Sequence, residues 1–204
     1  PQSPVYINFS SGTSGEPKGI ECLQQGIIRL VEQPDYVNLN PQTRMMCAAP
    51  ATFDAFTLEF WGPLLNGGQV CFMTEAQMDI AGLRQLIQHQ GVNTAWLTAA
   101  LFHTLVDLDA TAFAGLEQLL VGGDVVSPEH VRRVYQAVAN IQIINGYGPT
   151  ENTTFTSCFP IPRDWPAHSA LPIGQAINGT QVFVVDDQGQ LQPPGCIGEI
   201  VTAG

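Results

Sequence analysis

The sequence predicts an α/β fold in which a doubly wound, mostly parallel sheet carries flanking helices and is followed by the start of a small β subdomain. Two observations predict the sheet. Short apolar runs bounded by Gly, Pro or polar residues recur along the middle of the chain, and stretches with apolar residues at helical spacing separate them. A third marks a change after residue 179, where strand-like segments follow one another through Gly/Pro-rich loops with no helix between them. With 204 residues, 45% of them hydrophobic, the chain can bury one sizeable core or one and a half domains.

In chain order, Val5-Tyr6-Ile7-Asn8-Phe9 is an apolar segment ahead of a loop of glycine and hydroxyl residues, and residues 22–32 behind that loop have the pattern of an amphipathic helix. Residues 45–49, 69–73, 94–97, 118–121 and 141–144 are brief and apolar enough for buried strands. Between them, residues 54–65, 79–89, 100–108 and 128–139 carry the helical period, and Ser127-Pro128 offers a capping hydroxyl followed by proline at the first helical position. Strands alternating with helices imply parallel pairing, each helix crossing over a face of the sheet. Residues 181–185 and 197–202 then form strands, with a turn at Asp186-Asp187-Gln188-Gly189. The expected division is a core over 1–178 and a β subdomain beginning at 179. No internal repeat interrupts this order.

Charge and composition exclude several functions. A formal net charge of −11 leaves no basic face for nucleic acid or an anionic membrane, so any bound anion is held locally. Cys22, Cys47, Cys71, Cys158 and Cys196 are scattered and never spaced as C-x-x-C, which predicts small buried hydrophobes, neither a zinc site nor a disulfide framework. No segment is long and apolar enough to span a bilayer and the N-terminus lacks a signal-peptide layout, so a cytoplasmic protein is expected. Pro1 in place of methionine suggests a slice of a longer chain. The four histidines show no metal-ligand spacing.

Lys18 is the single lysine, and it sits in Ser10-Ser11-Gly12-Thr13-Ser14-Gly15-Glu16-Pro17-Lys18-Gly19. Glycines let backbone N–H groups, hydroxyls and one point charge converge on phosphate oxygens. A Walker A loop would place the lysine directly after the second glycine and a Ser or Thr after it. Here Glu16 and Pro17 intervene and Gly19 follows, so a P-loop NTPase is not expected. In an open α/β sheet, ligands bind beyond the carboxyl ends of the strands. Those ends carry Pro50-Ala51-Thr52-Phe53-Asp54, Thr98, Gly122-Gly123-Asp124 and Gly146-Tyr147-Gly148-Pro149-Thr150-Glu151. Each has a plainer explanation when taken alone: Asp54 as a helix N-cap, Asp124 as a loop acceptor, Tyr147 as a turn residue, Glu151 as a first-turn acid, Trp96 and Leu120 as core.

The order and spacing of Ser11 to Gly19, Phe53-Asp54 and Asn145 to Glu151 resemble the adenylate-forming superfamily, with its acetyl-CoA-synthetase/luciferase-like core, and specifically adenylation domains of nonribosomal peptide synthetases. The similarity runs through to Pro194-Gly195-Cys196-Ile197-Gly198-Glu199-Ile200, which resembles the family's β-subdomain motif. Ser14 stands where threonine is commoner and Gln24 where histidine is frequent. The resemblance implies a central slice, lacking the N-terminal part of the core, a ribose-holding Asp, the hinge and the C-terminal domain with its catalytic lysine.

By that resemblance, an amino acid would react with ATP to give aminoacyl-AMP and pyrophosphate, for loading onto the phosphopantetheine thiol of a peptidyl carrier domain beside condensation domains. Ser11, Gly12, Thr13, Ser14, Gly15 and Lys18 would hold the β- and γ-phosphates. Gly122, Gly123, Asp124, Asn145, Gly146 and Tyr147 would frame the nucleotide, with Tyr147 stacked on adenine. Thr150 would contact the α-phosphate and Glu151 would bind Mg²⁺, making Lys18, Thr150 and Glu151 the catalytic set. Asp54 would pair with the substrate ammonium. Ala55, Leu58, Trp96, Leu120, Gly122, Gly146, Thr154 and Phe155 would line a mostly apolar pocket for a branched aliphatic side chain, valine first. The alternative acyl-CoA or aryl-acid ligases of the superfamily bring no ammonium to bind, so Asp54 separates the branches; a non-catalytic nucleotide-binding fragment is the other alternative.

Overall fold

The computed structural model describes residues 2–10, 17–74 and 78–203. Strands β1 (Pro4–Ser10) and β2 (Lys18–Leu23) pair antiparallel, with Ser10 opposite Lys18, and helix α1 (Gln24–Val31) follows directly. The helix expected from residue 22 begins at Gln24 because Cys22 and Leu23 still pair with Tyr6 and Pro4. Strand β3 (Arg44–Cys47), helix α2 (Ala55–Leu65), β4 (Gln69–Phe72), α3 (Ile80–Gln90), β5 (Thr94–Thr98), α4 (Ala99–Asp109), β6 (Gln118–Gly122), α5 (Pro128–Ala137) and β7 (Gln142–Tyr147) then alternate as predicted.

Local chemistry sets the helix starts. Asp79 accepts from the Gly82 N–H, Thr98 from Leu101 and Ser127 from His130, each satisfying a donor that the first turn leaves free. Gly91 ends α3 in the left-handed region, at φ 67°.

β3 to β7 are parallel, and the main sheet has the order β4-β3-β5-β6-β7, continued by two antiparallel strands, β8 (Ser157–Pro160) and β9 (Gln175–Ala176). The sequence pattern holds no forecast of β8 and β9. Pairing with β8 carries β7 on to Tyr147, three residues past the apolar run.

Successive strand residues face opposite sides, and the helices divide accordingly. Met46, Ala95, Leu97, Leu119, Val121 and Ile143 pack against α3, α4 and α5, while Met45, Trp96, Leu120 and Ile144 pack against α1 and α2. The sheet is doubly wound, and each large aliphatic side chain buried in this way contributes about 1.5–3 kcal/mol. Chain direction across the sheet reverses between β3 and β5, opening a crevice at their carboxyl ends. Strands β10 (Gln181–Val185) and β11 (Glu199–Ala203) pair antiparallel with each other. Four cysteines are buried as expected, but Cys196 is exposed. Among the described residues no helix is long and apolar enough to cross a membrane.

Candidate functional site

The carboxyl ends of β3, β5, β6 and β7 bring the candidate residues into three groups. The first surrounds a cavity of about 360 Å³ beyond β6 and β7, lined by Gly123, Asp124, Asn145, Gly146, Tyr147 and Gly148 among others. Gly123 adopts φ 78° with open space where a Cβ would stand, so the backbone turns there at no steric cost. Tyr147 is 39% exposed at the cavity. Asp124 spends one carboxylate oxygen on the Val125 N–H at 2.7 Å, and Asn145 Nδ2 donates to the Pro172 carbonyl at 2.9 Å, so both also fix local backbone.

The second group gathers around Asp54. It precedes α2 without the usual capping bond to the second or third N–H of the helix, and its carboxyl meets only the first, that of Ala55. Burial pushes its carboxyl above the usual carboxylate range, against the pull of the Thr150 hydroxyl and the Ala55 N–H, and Glu151 pushes it further up. Thr154 Oγ1 donates to the Asp54 carbonyl at 2.7 Å. Thr150 and Glu151 form a 3₁₀ turn (Thr150–Asn152) that lies against β2, the strand opened by Lys18. Glu151 is exposed, as is Lys18, and among the described residues neither forms an ion pair. Ser11, Gly12, Thr13, Ser14 and Gly15, expected on the β- and γ-phosphates, lie outside the described residues.

The third group is apolar. Ala55, Leu58, Trp96, Leu120 and Phe155 belong to one buried cluster under α1 and α2, where the Phe155 ring meets Tyr36 edge-on at 5.6 Å. Gly122 and Gly146 are opposite each other in β6 and β7. Both have packing reasons: a Cβ on Gly122 would lie 2.2 Å from the Gly146 carbonyl oxygen, and one on Gly146 2.4 Å from the Phe155 ring. Trp96 also borders a further cavity of about 420 Å³, with Ala49, Phe53, Glu59 and Leu101.

Two participants escape the sequence reasoning. Glu59, on α2, is fully buried, accepts from the Ala48 and Ala49 N–H groups at 3.0 and 2.8 Å, and so pins the chain where β3 turns toward Asp54. Burial raises its carboxyl to about 7, the two N–H bonds opposing. A lone acid inside the apolar run Ala55-Phe56-Thr57-Leu58-Glu59-Phe60-Trp61 is the signal that could have found it. The other, Arg29 on α1, donates to the carbonyls of Asn152, Thr153 and Phe155.

Residues 153–155 have an unusual shape. Thr153 and Thr154 have φ 49° and 67°, a region that β-branched residues avoid at a cost of about 1–3 kcal/mol each. Such a turn persists only where its surroundings determine it.

Comparison with known proteins agrees with this architecture. Residues 1–204 match the AMP-binding enzyme family. Gramicidin S synthase 2 of Brevibacillus brevis is 39% identical over 201 residues, covering 98% of this chain and 4% of that protein. Malpibaldin synthetase of Mortierella alpina is 38% identical over 204 residues, 100% of this chain and 4% of that protein. The chain thus spans a small part of the curated relatives it matches. Among solved structures, holo-PA1221, an NRPS protein containing adenylation and PCP domains bound to a vinylsulfonamide inhibitor, superposes with a TM-score of 0.93 at 48% identity, over 98% of this chain and 35% of that one. The N-terminal subdomain of Klebsiella oxytoca NpsA in complex with 3-hydroxybenzoyl-AMSN gives 0.89 at 26% identity, over 98% of this chain and 52% of that one. With the family matched over its whole length and the site elements at the expected strand ends, the chain belongs to the AMP-binding enzyme family and resembles the central part of a nonribosomal peptide synthetase adenylation domain.

Proposed function

We propose that this chain supplies the nucleotide- and amino-acid-binding part of an amino-acid-adenylating ligase that loads a carrier domain in nonribosomal peptide synthesis. The observation that carries the reading is Asp54: a half-buried carboxylate without the usual N-cap bond, raised by burial, beside an apolar cluster and with no cation paired to it among the described residues. An arriving ammonium offsets that desolvation, whereas a fatty or aryl acid brings nothing to pair with it.

In the proposed reaction a substrate carboxylate oxygen attacks the α-phosphorus of ATP, the bond to the bridging oxygen of pyrophosphate breaks, and aminoacyl-AMP forms. Two anions must meet, so positioning and charge neutralisation supply most of the rate. Lys18, at the start of the strand that lies against the Thr150–Asn152 turn, neutralises phosphate charge; Asp54 orients the amino acid through its ammonium, and the Thr150 hydroxyl that Asp54 then releases donates to a phosphate oxygen. The glycines and Tyr147 around the 360 Å³ cavity suit a flat purine. Bound Mg²⁺ would offset the phosphate charge. Exposed Glu151 fits as a carboxylate for it, because Mg²⁺ accepts one or two carboxylates with phosphate and water oxygens.

Ala55, Leu58, Trp96, Leu120 and Phe155 favour an apolar side chain of moderate size, with valine ahead of its homologues; such a pocket separates neighbours by one methylene only by about 1–3 kcal/mol. The adenylation and PCP domains joined in holo-PA1221 support a carrier partner here. We place the core over residues 1–178 and the β subdomain from 179, a division supported by β10 and β11 pairing with each other apart from the main sheet. The test is amino-acid-dependent ATP–pyrophosphate exchange by the complete domain. Valine-stimulated exchange is expected, and a domain stimulated only by fatty or aryl acids sinks the reading.

A further inference from the structure

Arg29 reaches from α1 across 126 residues of sequence to one short segment of the site. Its guanidinium donates to the carbonyl oxygens of Asn152, Thr153 (3.2 Å) and Phe155 (2.9 Å), and to Thr180 Oγ1 at the foot of β10. Among the described residues no carboxylate pairs with it, although burial presses on its charge. One turn earlier on the same face, Gly26 lies so close that a Cβ there would stand 2.5 Å from Thr153 Oγ1. The packing of α1 itself is done by Ile27, Leu30 and Val31. The face holding Gly26 and Arg29 is shaped instead to the two left-handed threonines.

Much of the site hangs on that turn. Thr150 and Glu151 lead into it, Thr154 Oγ1 ties it to the Asp54 carbonyl, and the Phe155 ring takes the space that glycine leaves at position 146. A Cβ on Gly148 would lie 2.3 Å from the Thr154 carbonyl oxygen, so β7 and the turn fit without slack. A planar fork is suited to several carbonyls at once in a way an ammonium is not.

We propose that Arg29, seated by Gly26, is a positioning residue of the adenylation site: it holds residues 152–155 in their left-handed turn and thereby fixes the separation between Asp54 and the Thr150-Glu151 pair. The inference rests on the reading of those residues as the amino-acid and phosphate contacts.

Arg163 provides the matched control. It caps the Tyr135, Val138 and Ile141 carbonyls by the same chemistry, beside the amino end of β7 and away from the site. In the complete domain, Arg29→Met should raise KM for the amino acid about tenfold and lower kcat by up to about 100-fold, as ångström-scale misplacement does. Arg163→Met should lower thermal stability and leave KM unchanged. An arginine with a merely structural role reduces the fraction of active enzyme, hence apparent kcat, without moving KM. Should Arg29→Met not fold, Arg29→Lys and Gly26→Ala carry the test, and each must raise KM for the amino acid. Unchanged KM in the folded variants overturns the inference while the adenylation reading stands; a wild-type domain without amino-acid-dependent exchange overturns both.

Discussion

Replacing Glu59 by Gln in the complete domain should remove a pH dependence of stability whose size follows from burial. The carboxyl is fully buried, and its folded value of about 7 stands above the ordinary 4.5. A raised carboxyl binds its proton more tightly in the folded state, so the native protein holds more protons than the unfolded chain between the two values, and stability falls as pH rises through that window. A rise from 4.5 to about 7 corresponds to about 3 kcal/mol. Below 4.5 both states are protonated and the penalty vanishes; above 7 it is complete. Gln keeps an oxygen for the Ala48 and Ala49 N–H groups without the charge. Urea unfolding of wild type and Glu59→Gln, from pH 4.5 to 8, should give a stability difference that shifts toward the variant by about 3 kcal/mol across the window. Taking the difference cancels the other carboxylates. A pH-independent difference, or one shifting toward the wild type, refutes the claim that desolvation outweighs the two hydrogen bonds.

Asp54→Asn should abolish amino-acid activation while leaving nucleotide binding intact, a loss of about 2–5 kcal/mol for the unpaired ammonium; exchange at wild-type rate would return Asp54 to a structural role. Glu151→Gln should weaken the Mg²⁺ dependence of exchange, and Lys18→Ala should lower kcat with ATP, each more than either affects the KM for the amino acid; an unchanged Mg²⁺ titration removes Glu151 from the metal site. Gly146→Ala should destabilise the domain without any ligand present, by about 1–3 kcal/mol, because its Cβ would stand 2.4 Å from the buried, Tyr36-braced ring of Phe155. Full stability with only weakened nucleotide affinity would make ligand room the reason for that glycine.

The fold was largely legible because the sheet is built from local signals. Each of the five parallel strands is a short apolar run, and each crossover helix has its own period and, at Ser127, its own cap. Glycine and proline punctuation marked the strand ends where the site collects. What escaped was set by partners distant in sequence. Residues 18–23 form a strand only through β1, and 157–160 by lying antiparallel between β7 and β9. The motif residues Tyr147, Thr150, Glu151 and Asp54 stand beyond the carboxyl ends of β7 and β3, where the pattern puts them. No pattern in Gln24-Gln25-Gly26-Ile27-Ile28-Arg29 discloses that the last residue caps carbonyls 123 to 126 positions downstream.

The glycines at the strand ends join these two levels. The family resemblance puts Gly122 and Gly146 beside a ligand, and Gly148 follows two residues after Gly146. In the fold the room at each is already spoken for: Gly122 admits the Gly146 carbonyl, Gly146 the Phe155 ring, and Gly148 the Thr154 carbonyl. Gly123, with open space at its Cβ position and a positive φ, is the one of the four that borders the 360 Å³ cavity freely. The small residues therefore serve first to let residues 153–155 fold back over β7, and that return brings Thr154 onto the Asp54 carbonyl. With the α1 face pressing from the other side, the turn proposed to meet phosphate and the cluster proposed to hold the amino acid become parts of one packed unit. A displacement at either is then felt at both, as a reaction that joins two anions at a fixed distance requires.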